Sequence, residues 1–322
     1  MEIMRSFNIT KNDADQRLDK YISKSVPALP KSLMYKYIRL KRIKVNRKRA
    51  EISTRLKEGD IVDMYIGDEF FKEAQYKYDF LKAGKELDIV YEDENIVICN
   101  KKAGLLCHAD KNEYNDNLIN RILRYLYNKK EYDPKSEHSF TPALANRIDR
   151  GTSGLVICAK NAEALRILNS KIKSREVKKY YLCIVSGRMP KSEDTLKAYL
   201  AKNEEKNTVS IKNKEFEGSK EIVTKYRVLA ENNGFSLLEI DLLTGRTHQI
   251  RAQLAHIGHP LLGDKKYGDR KLNAKYNYSN QALFSYKIKF DFTSEAGSLD
   301  YLGGKCFEAD KSAFENEFNK LK

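Results

Sequence analysis

The sequence predicts an α+β protein in two parts, a small N-terminal α/β unit and a larger mixed β-sheet with flanking helices. Three observations predict it. Apolar residues make up 41% of the 322-residue chain, enough for more than one core. Apolar strand-like runs recur through the second part. Helical periodicities fall between them at irregular intervals, without the βαβ repeat of a doubly wound sheet.

In order along the chain, QRLDKYIS places Leu18, Tyr21 and Ile22 at helical spacing, with Asp15 as its expected N-cap. PKSLMYKYIRLKR is a second helix, with either Leu33, Tyr37 and Leu40 or Met34 and Ile38 on its inner side. IKVNRKRAEI and DIVDMYI alternate like short strands and complete a unit spanning 1–68. Residues 69–85 have no period and are expected to be a linker. LDIVYEDENIVICNKKAG is two apolar runs around an acidic turn, a hairpin. LVICAK is a buried strand, and NAEALRILNSKIK a helix carrying Leu165, Leu168 and Ile172. YYLCIVSG, IVTKYRVL, FSLLEIDLL and YKIKFDF are strands, the last with Tyr286, Ile288, Phe290 and Phe292 facing one way. Residues 201–220 and 269–281 are expected to be mobile polar loops. The catalytic-size unit is placed at 86–300, with a helical tail at 301–322 carrying Phe314, Phe318 and Leu321.

Sixty Lys+Arg against 45 Asp+Glu give a net charge of +15, which favours a polyanionic partner. Nucleic acid is expected before membrane, because no apolar run approaches the roughly 20 residues of a span. The charge is concentrated: between Lys31 and Arg49 there are nine Lys/Arg and no acidic residue. Lys36, Arg39, Lys41, Arg42, Lys44 and Arg47 are therefore the expected phosphate contacts. The polar start of the chain lacks the apolar stretch of a signal peptide. Five cysteines, with no C-x-x-C pair, point to free thiols, a reduced cytoplasmic setting and no structural zinc.

Three stretches carry candidate chemistry. In NRIDRGTSGLVICAKN, Asp149 stands between Arg147 and Arg150 ahead of a Gly-Thr-Ser-Gly turn. An Asp beside Arg in a turn is commonly a cap or an ion pair. Here Gly151 and Gly154 allow close backbone approach, and Thr152 and Ser153 can fix the loop. The flanking guanidiniums are expected to hold the carboxylate ionised, below the usual value of about 3.9, as suits a nucleophile or a charge stabiliser. In LLTGRTHQIRAQLAHIGHPLLGDKKYG, a helix follows a strand and a Thr-Gly turn, with Ile250, Leu254 and Ile257 on one stripe. His248, Arg251 and Ala255 share the neighbouring face, so Arg251 projects from its edge, whereas Arg246 lies nearer solvent. The HIGH tetrapeptide, 256–259, has the spelling of a synthetase ATP signature but ends a helix, and its two histidines lack a third metal ligand. In KKYYLCIVSG, one of two adjacent tyrosines can be core while the other faces a cleft and stacks a base. P-loop, G-x-G-x-x-G and G-x-S-x-G motifs are absent, which removes nucleotide hydrolysis, dinucleotide redox and esterase chemistry.

These stretches together resemble a family. NRIDRGTSGLVICAK looks like the HRLDxxTSGLLLxAK signature of the RluA-type RNA pseudouridine synthases. KKYYLCIVSG is similar to their K-x-Y-x-A-x-V-x-G strand, and LTGRTHQIRAQLAHIGHPLLGDKKYG to their third motif. LDIVYEDENIVICNKKAGLLCHAD resembles their opening hairpin, with Lys102 where proline is usual. RLDKYIS and IRLKRIKVNRKRA resemble the alpha-L RNA-binding module, with Arg47 in place of a glycine. The resemblance implies a mostly antiparallel synthase core with a central RNA cleft and a small RNA-binding domain before it, as in the RluC/RluD-like subgroup. It implies isomerisation of uridine to pseudouridine without cofactor or metal. Asp149 is then the catalytic aspartate, Tyr181 rather than Tyr180 the base-stacking tyrosine and proton acceptor, and Arg251 the partner of the aspartate. Arg147 would fill the gap left by the flipped base; Arg150, Thr152, Arg246, His248 and Gln249 would meet RNA or shape the site. Asn146 replaces the family's first histidine and Phe284 that of a later Leu-His-Ala. Ribosomal RNA of the large subunit is the first expected substrate and tRNA the second, with the enzyme a monomer. The competing readings are a non-catalytic RNA-binding or ribosome-assembly factor, and a hydrolase or ligase acting on tRNA.

Overall fold

The computed structural model describes residues 2–71, 78–203 and 208–321. Its first unit is an antiparallel sheet of β1 (Glu2–Asn8), β2 (Ile43–Val45), β3 (Lys48–Arg49) and β4 (Ile61–Gly67), in the order β1-β4-β2-β3. Helices α1 (Leu18–Ser25) and α2 (Lys31–Arg39) cover it. Leu18, Tyr21 and Ile22 are buried, as their spacing predicts. On α2 the inner face is Met34 and Ile38; Leu40, at the helix end, is 56% exposed. Asp15 is not a cap: Arg17 holds that position without a side-chain bond. Asp15 is left-handed, φ 60°, and donates its N–H to Leu56 O, which turns its carboxylate away from the first helical amides. The β2–β3 turn has Asn46 and Arg47 at φ 51° and 61°, the mirror-image turn that suits hairpin twist. β1 is a strand that the mixed polarity of its sequence conceals.

The second unit is an 11-stranded sheet, counted among the described residues. Its strands are β5 (Ile89–Glu92), β6 (Ile96–Lys101), β7 (Ala143–Leu144), β8 (Ser153–Ala159), β9 (Val177–Ser186), β10 (Glu193–Asn203), β11 (Thr208–Lys212), β12 (Lys220–Asn232), β13 (Phe235–Leu242), β14 (Leu283–Phe290) and β15 (Cys306–Glu308). The main path runs β11-β10-β12-β13-β9-β14-β8-β6-β5, with β15 on β14 and β7 on β8. All of its ladders are antiparallel except β14 with β8. The sheet is thus mixed and mostly antiparallel.

Two apolar layers sandwich it. On one side, α3 (Leu118–Asn128) and α5 (Gln249–His256) pack over Val97, Val156, Tyr181, Cys183 and Ile240. On the other, α4 (Ala162–Lys173) and the 3-10 turn Gly297–Leu302 pack over Ile98, Ile157, Leu182 and Ile288. Residues 201–220 are not one loop: 201–203, 208–212 and 220 belong to β10, β11 and β12, 213–219 form the connection, and 204–207 lie outside the described residues. Within 269–281, α6 (Arg270–Lys275) forms, capped by Asp269. Lysine-rich alternation reads as polar loop when only one strand face is buried. Of the stretch expected to be a linker, 72–77 lie outside the described residues, while Phe80 is buried against Tyr127 and Tyr132. After β15, α7 (Ser312–Asn319) buries Phe318.

The two units meet through polar contacts. Asp13 accepts from the Ser139 hydroxyl at 2.6 Å and its amide at 3.1 Å. Asn12 donates to Glu137 at 2.9 Å, and Phe7 stands edge-on to His138.

Candidate active site

Asp149 lies in the turn between β7 and β8, its carbonyl accepting the Thr152 N–H at 3.1 Å. The chain can make this turn because the second residue of β8 is a glycine. Gly154 has φ +113°, and a Cβ there would sit 2.2 Å from Ser285 O on β14. The neighbouring arginines are not its partners. Arg150 Nε donates to Gly104 O at 3.0 Å, and Arg147 is exposed. The partner is Arg251, on the first turn of α5, whose Nη1 donates to Asp149 Oδ2 at 2.6 Å.

Arg251 is itself only 6% exposed. Its Nε and Nη2 grip Asp264 as a fork, at 2.7 and 2.9 Å. Asp264 is fully buried and also accepts the amides of Lys266 and Tyr267, at 2.8 and 3.1 Å. Burial alone would raise its carboxyl; the Arg251 bonds and charge and the two amides bring it below the usual range. Burial likewise works against the Arg251 cation, but the two carboxylates hold it protonated well above its ordinary range. One guanidinium thus bridges a buried carboxylate and a part-exposed one, and Asp149 is the one left facing solvent at 28% exposure.

His248 is the N-cap of α5 at φ 54°, rather than a residue of its wheel. Its Nδ1 pairs with the Tyr267 hydroxyl at 2.9 Å, and its Nε2 stands 4.0 Å from Asp149. Burial lowers its pKa, with Asp149 opposing. The Tyr267 ring also lies 5.4 Å from the Arg251 guanidinium carbon. Ile250, Leu254 and Ile257 share one apolar cluster, as their spacing predicts, but α5 is buried all round from Gln249 to Leu254, so its other faces are covered as well.

Tyr181, on β9, is 5% exposed and belongs to the apolar cluster of Ile148, Cys183 and Ile240. Burial raises its hydroxyl pKa, and the Asp149 charge adds to that. Tyr180, on the opposite face, lines a shallow 240 Å³ depression with Glu239 and Asp241, beneath Lys287. The alternation expected of the pair is present, with Tyr181 on the side of Asp149.

Known proteins resemble this chain in sequence and fold. Residues 95–256 match the RNA pseudouridylate synthase family, and residues 16–62 match the S4 domain. Over 298 residues the chain is 34% identical to an uncharacterized RNA pseudouridine synthase of Mycoplasma genitalium, covering 90% of both chains. The chain belongs to the RNA pseudouridylate synthase family. This synthase is also 31% identical, over 89% of its length and 88% of the relative's, to ribosomal large subunit pseudouridine synthase C of Vibrio parahaemolyticus. The fold is shared with the human RNA pseudouridylate synthase domain containing 4 protein, with a TM-score of 0.57 at 20% identity, covering 73% of this chain and 92% of that one. The protein is therefore an enzyme that acts on RNA.

Two residues expected to meet RNA are turned inward in the synthase. Gln249 is buried, its amide spent on Thr244, Thr224 and the Arg246 N–H, so it builds the turn before α5. Thr152 is 1% exposed, and its hydroxyl accepts from Gln281 at 3.0 Å. Arg147, Arg150 and Arg246 are exposed, as are Lys36, Arg39, Lys41 and Arg47; Arg42 and Lys44 are half-buried, lying over Tyr37 and Tyr65. Asn146 accepts the Ile157 N–H at 2.8 Å and leaves its Nδ2 without a partner. The histidines of the HIGH tetrapeptide serve the fold: His256 pairs with Asn213 and His259 with Ser186 O. Among the described residues no group of three potential ligands could hold a metal, and no helix is long and apolar enough to cross a membrane.

Sequence reasoning missed Asp264 and Lys101. Asp264 is an acid inside the basic run GDKKYG, 13 positions from the arginine it grips. Lys101 is 1% exposed, and its ammonium donates to the carbonyls of Lys102, Leu105 and Arg150, at 3.0, 2.7 and 3.1 Å. It ties the residue after Asp149 to the turn after β6. Burial pushes it down to about 8, against the pull of Cys107 and Asp149.

Proposed function

We propose that this synthase converts specific uridines of large-subunit ribosomal RNA to pseudouridine by flipping the target base, with Asp149 as the catalytic carboxylate. The observation that carries the reading is the Arg251 bridge. A guanidinium anchored to buried Asp264 holds the Asp149 carboxylate in a fixed orientation at the surface. Such a group can attack the sugar or stabilise the charge that develops on it when the glycosidic bond breaks. Tyr181 supports the base-stacking part. Its ring lies on the Asp149 side of the sheet among Ile148 and Ile240, an aromatic of the kind that stacks a flipped base. Arg147, exposed beside the turn, is positioned to occupy the space the base leaves.

The N-terminal unit, 1–68, docks an RNA helix through α2 and the β2–β3 turn, and the unit at 86–300 carries the chemistry. Relatives named for the ribosomal large subunit support that substrate. We place the enzyme in the cytoplasm, acting as a monomer. The test is to map pseudouridine in total RNA of a strain lacking the protein, complemented with wild type or Asp149→Asn. One or more sites should return with wild type alone, in the large-subunit RNA. Identical maps would sink the catalytic reading, and a returning site in tRNA would move the substrate.

A further inference from the structure

The Asp149 and Asp264 loops belong to different parts of the chain, yet Arg251 bridges them within hydrogen-bond distance on both sides. One segment, 280–285, runs between those loops. On the Asp149 side, Gln281 Nε2 donates to Thr152 Oγ1 at 3.0 Å, in the same turn that the Asp149 carbonyl closes. On the Asp264 side, the Ala282 N–H donates to Leu262 O at 2.7 Å. The Asn280 carbonyl presses so close to Gly263 that a Cβ there would stand 2.0 Å from it.

This segment is backed by the end of the chain. Phe314 of α7 stacks on Phe284 with centroids 5.8 Å apart and planes at 26°. Phe318 and Leu321 complete an apolar cluster with Ile184, Leu262 and Ala282. The orphan carbonyls at the end of α7 are satisfied from a distant turn: Asn232 donates to Phe318 O and Leu321 O at 3.2 and 2.9 Å, and Asn233 to Leu321 O at 3.0 Å. The helix is therefore held over a segment that touches both carboxylate loops. Phe284 is an apolar ring that Phe314 covers.

We propose that α7 is a positioning element of the catalytic centre, and that Phe314, acting through Phe284 and Gln281, sets the spacing that Arg251 bridges. The proposal rests on the catalytic reading of Asp149. A misplacement of this kind costs turnover more than binding, because the reacting geometry is lost while the RNA contacts remain.

The experiment is steady-state kinetics on a substrate stem-loop, for Phe314→Ala, Phe314→Leu and Gln281→Leu, beside wild type and Asp149→Asn. In Phe314→Ala, kcat should fall about tenfold to a hundredfold, while KM and equilibrium RNA affinity stay within about twofold. Phe314→Leu, which restores apolar volume, should recover most of the loss. Gln281→Leu should reproduce the kcat loss with a melting temperature close to wild type, and it decides the matter if Phe314→Ala does not fold. Wild-type kcat in folded Phe314→Ala, or in Gln281→Leu, overturns the proposal, as does a KM rise matching the kcat loss. If Asp149→Asn is inactive while these variants are fully active, the proposal fails and the catalytic reading stands. If Asp149→Asn turns over normally, both fail together.

Discussion

The charges around Arg251 and those on the N-terminal unit are used in opposite ways. At the site the ions are few and paired: buried Arg251 joins two carboxylates, and Asp264 is closed off from water. On the α2 face and the turn after it the cations are many and mostly exposed, spaced along one surface without intervening acids. A buried ion is worth its geometry, because the dry surroundings make each bond strong and each unpaired charge costly. An exposed cation is worth its number, because it acts by displacing counterions from phosphate. On the proposed function, chemistry and docking fall to two different electrostatic regimes, and substitutions should separate them.

The largest effect is expected where a buried charge loses its partner. Arg251→Met leaves Asp264 ionised and buried with only backbone amides, and should cost about 3–5 kcal/mol in urea unfolding, besides abolishing turnover. A stable variant would mean that water reaches Asp264. Next comes Lys101. Its folded pKa of about 8 lies below the ordinary lysine value of 10.5, so between those values the unfolded chain binds more protons than the folded one. Stability carried by this group should therefore rise as pH goes from about 8 to 10.5, by up to about 3 kcal/mol relative to Lys101→Met. Denaturation of both proteins across that range checks the sign, and parallel curves would remove the buried ammonium from the account.

A smaller effect is expected on the exposed face. Changing Lys41, Arg42, Lys44 and Arg47 together to Gln should weaken RNA binding about tenfold at physiological salt and flatten the dependence of log K on log salt. Turnover on a short stem-loop should stay nearly intact. An unchanged salt slope would take this unit out of docking. Smallest is Arg47→Gly. Arg47 occupies a left-handed position, φ 61°, that glycine adopts without strain, so the substitution should stabilise the protein by about 0.5–1 kcal/mol while removing one cation from the face.

What could be read beforehand follows the same division. Strands such as β8, β9 and β14 were legible because burial imprints alternation or a continuous apolar run on local sequence. β10 and β11 were not, since lysines fill their exposed face and the apolar partners, Ala252 among them, come from α5. The Arg251–Asp149 pair was legible only through resemblance. Local reading assigned Asp149 to its neighbours Arg147 and Arg150, whose side chains go elsewhere.

The sequence by itself determined the strands buried on both faces, the first two helices, the basic face and the family, because each is written in residues close together in the chain. Tertiary structure alone decided that Asp264 anchors Arg251, that Lys101 clips the turn after Asp149, that Gln249 and Thr152 face inward, and that the last helix packs on Phe284. Each of these depends on which distant backbone comes within 3 Å of a side chain, and hydrogen bonds of that length carry no trace in sequence spacing.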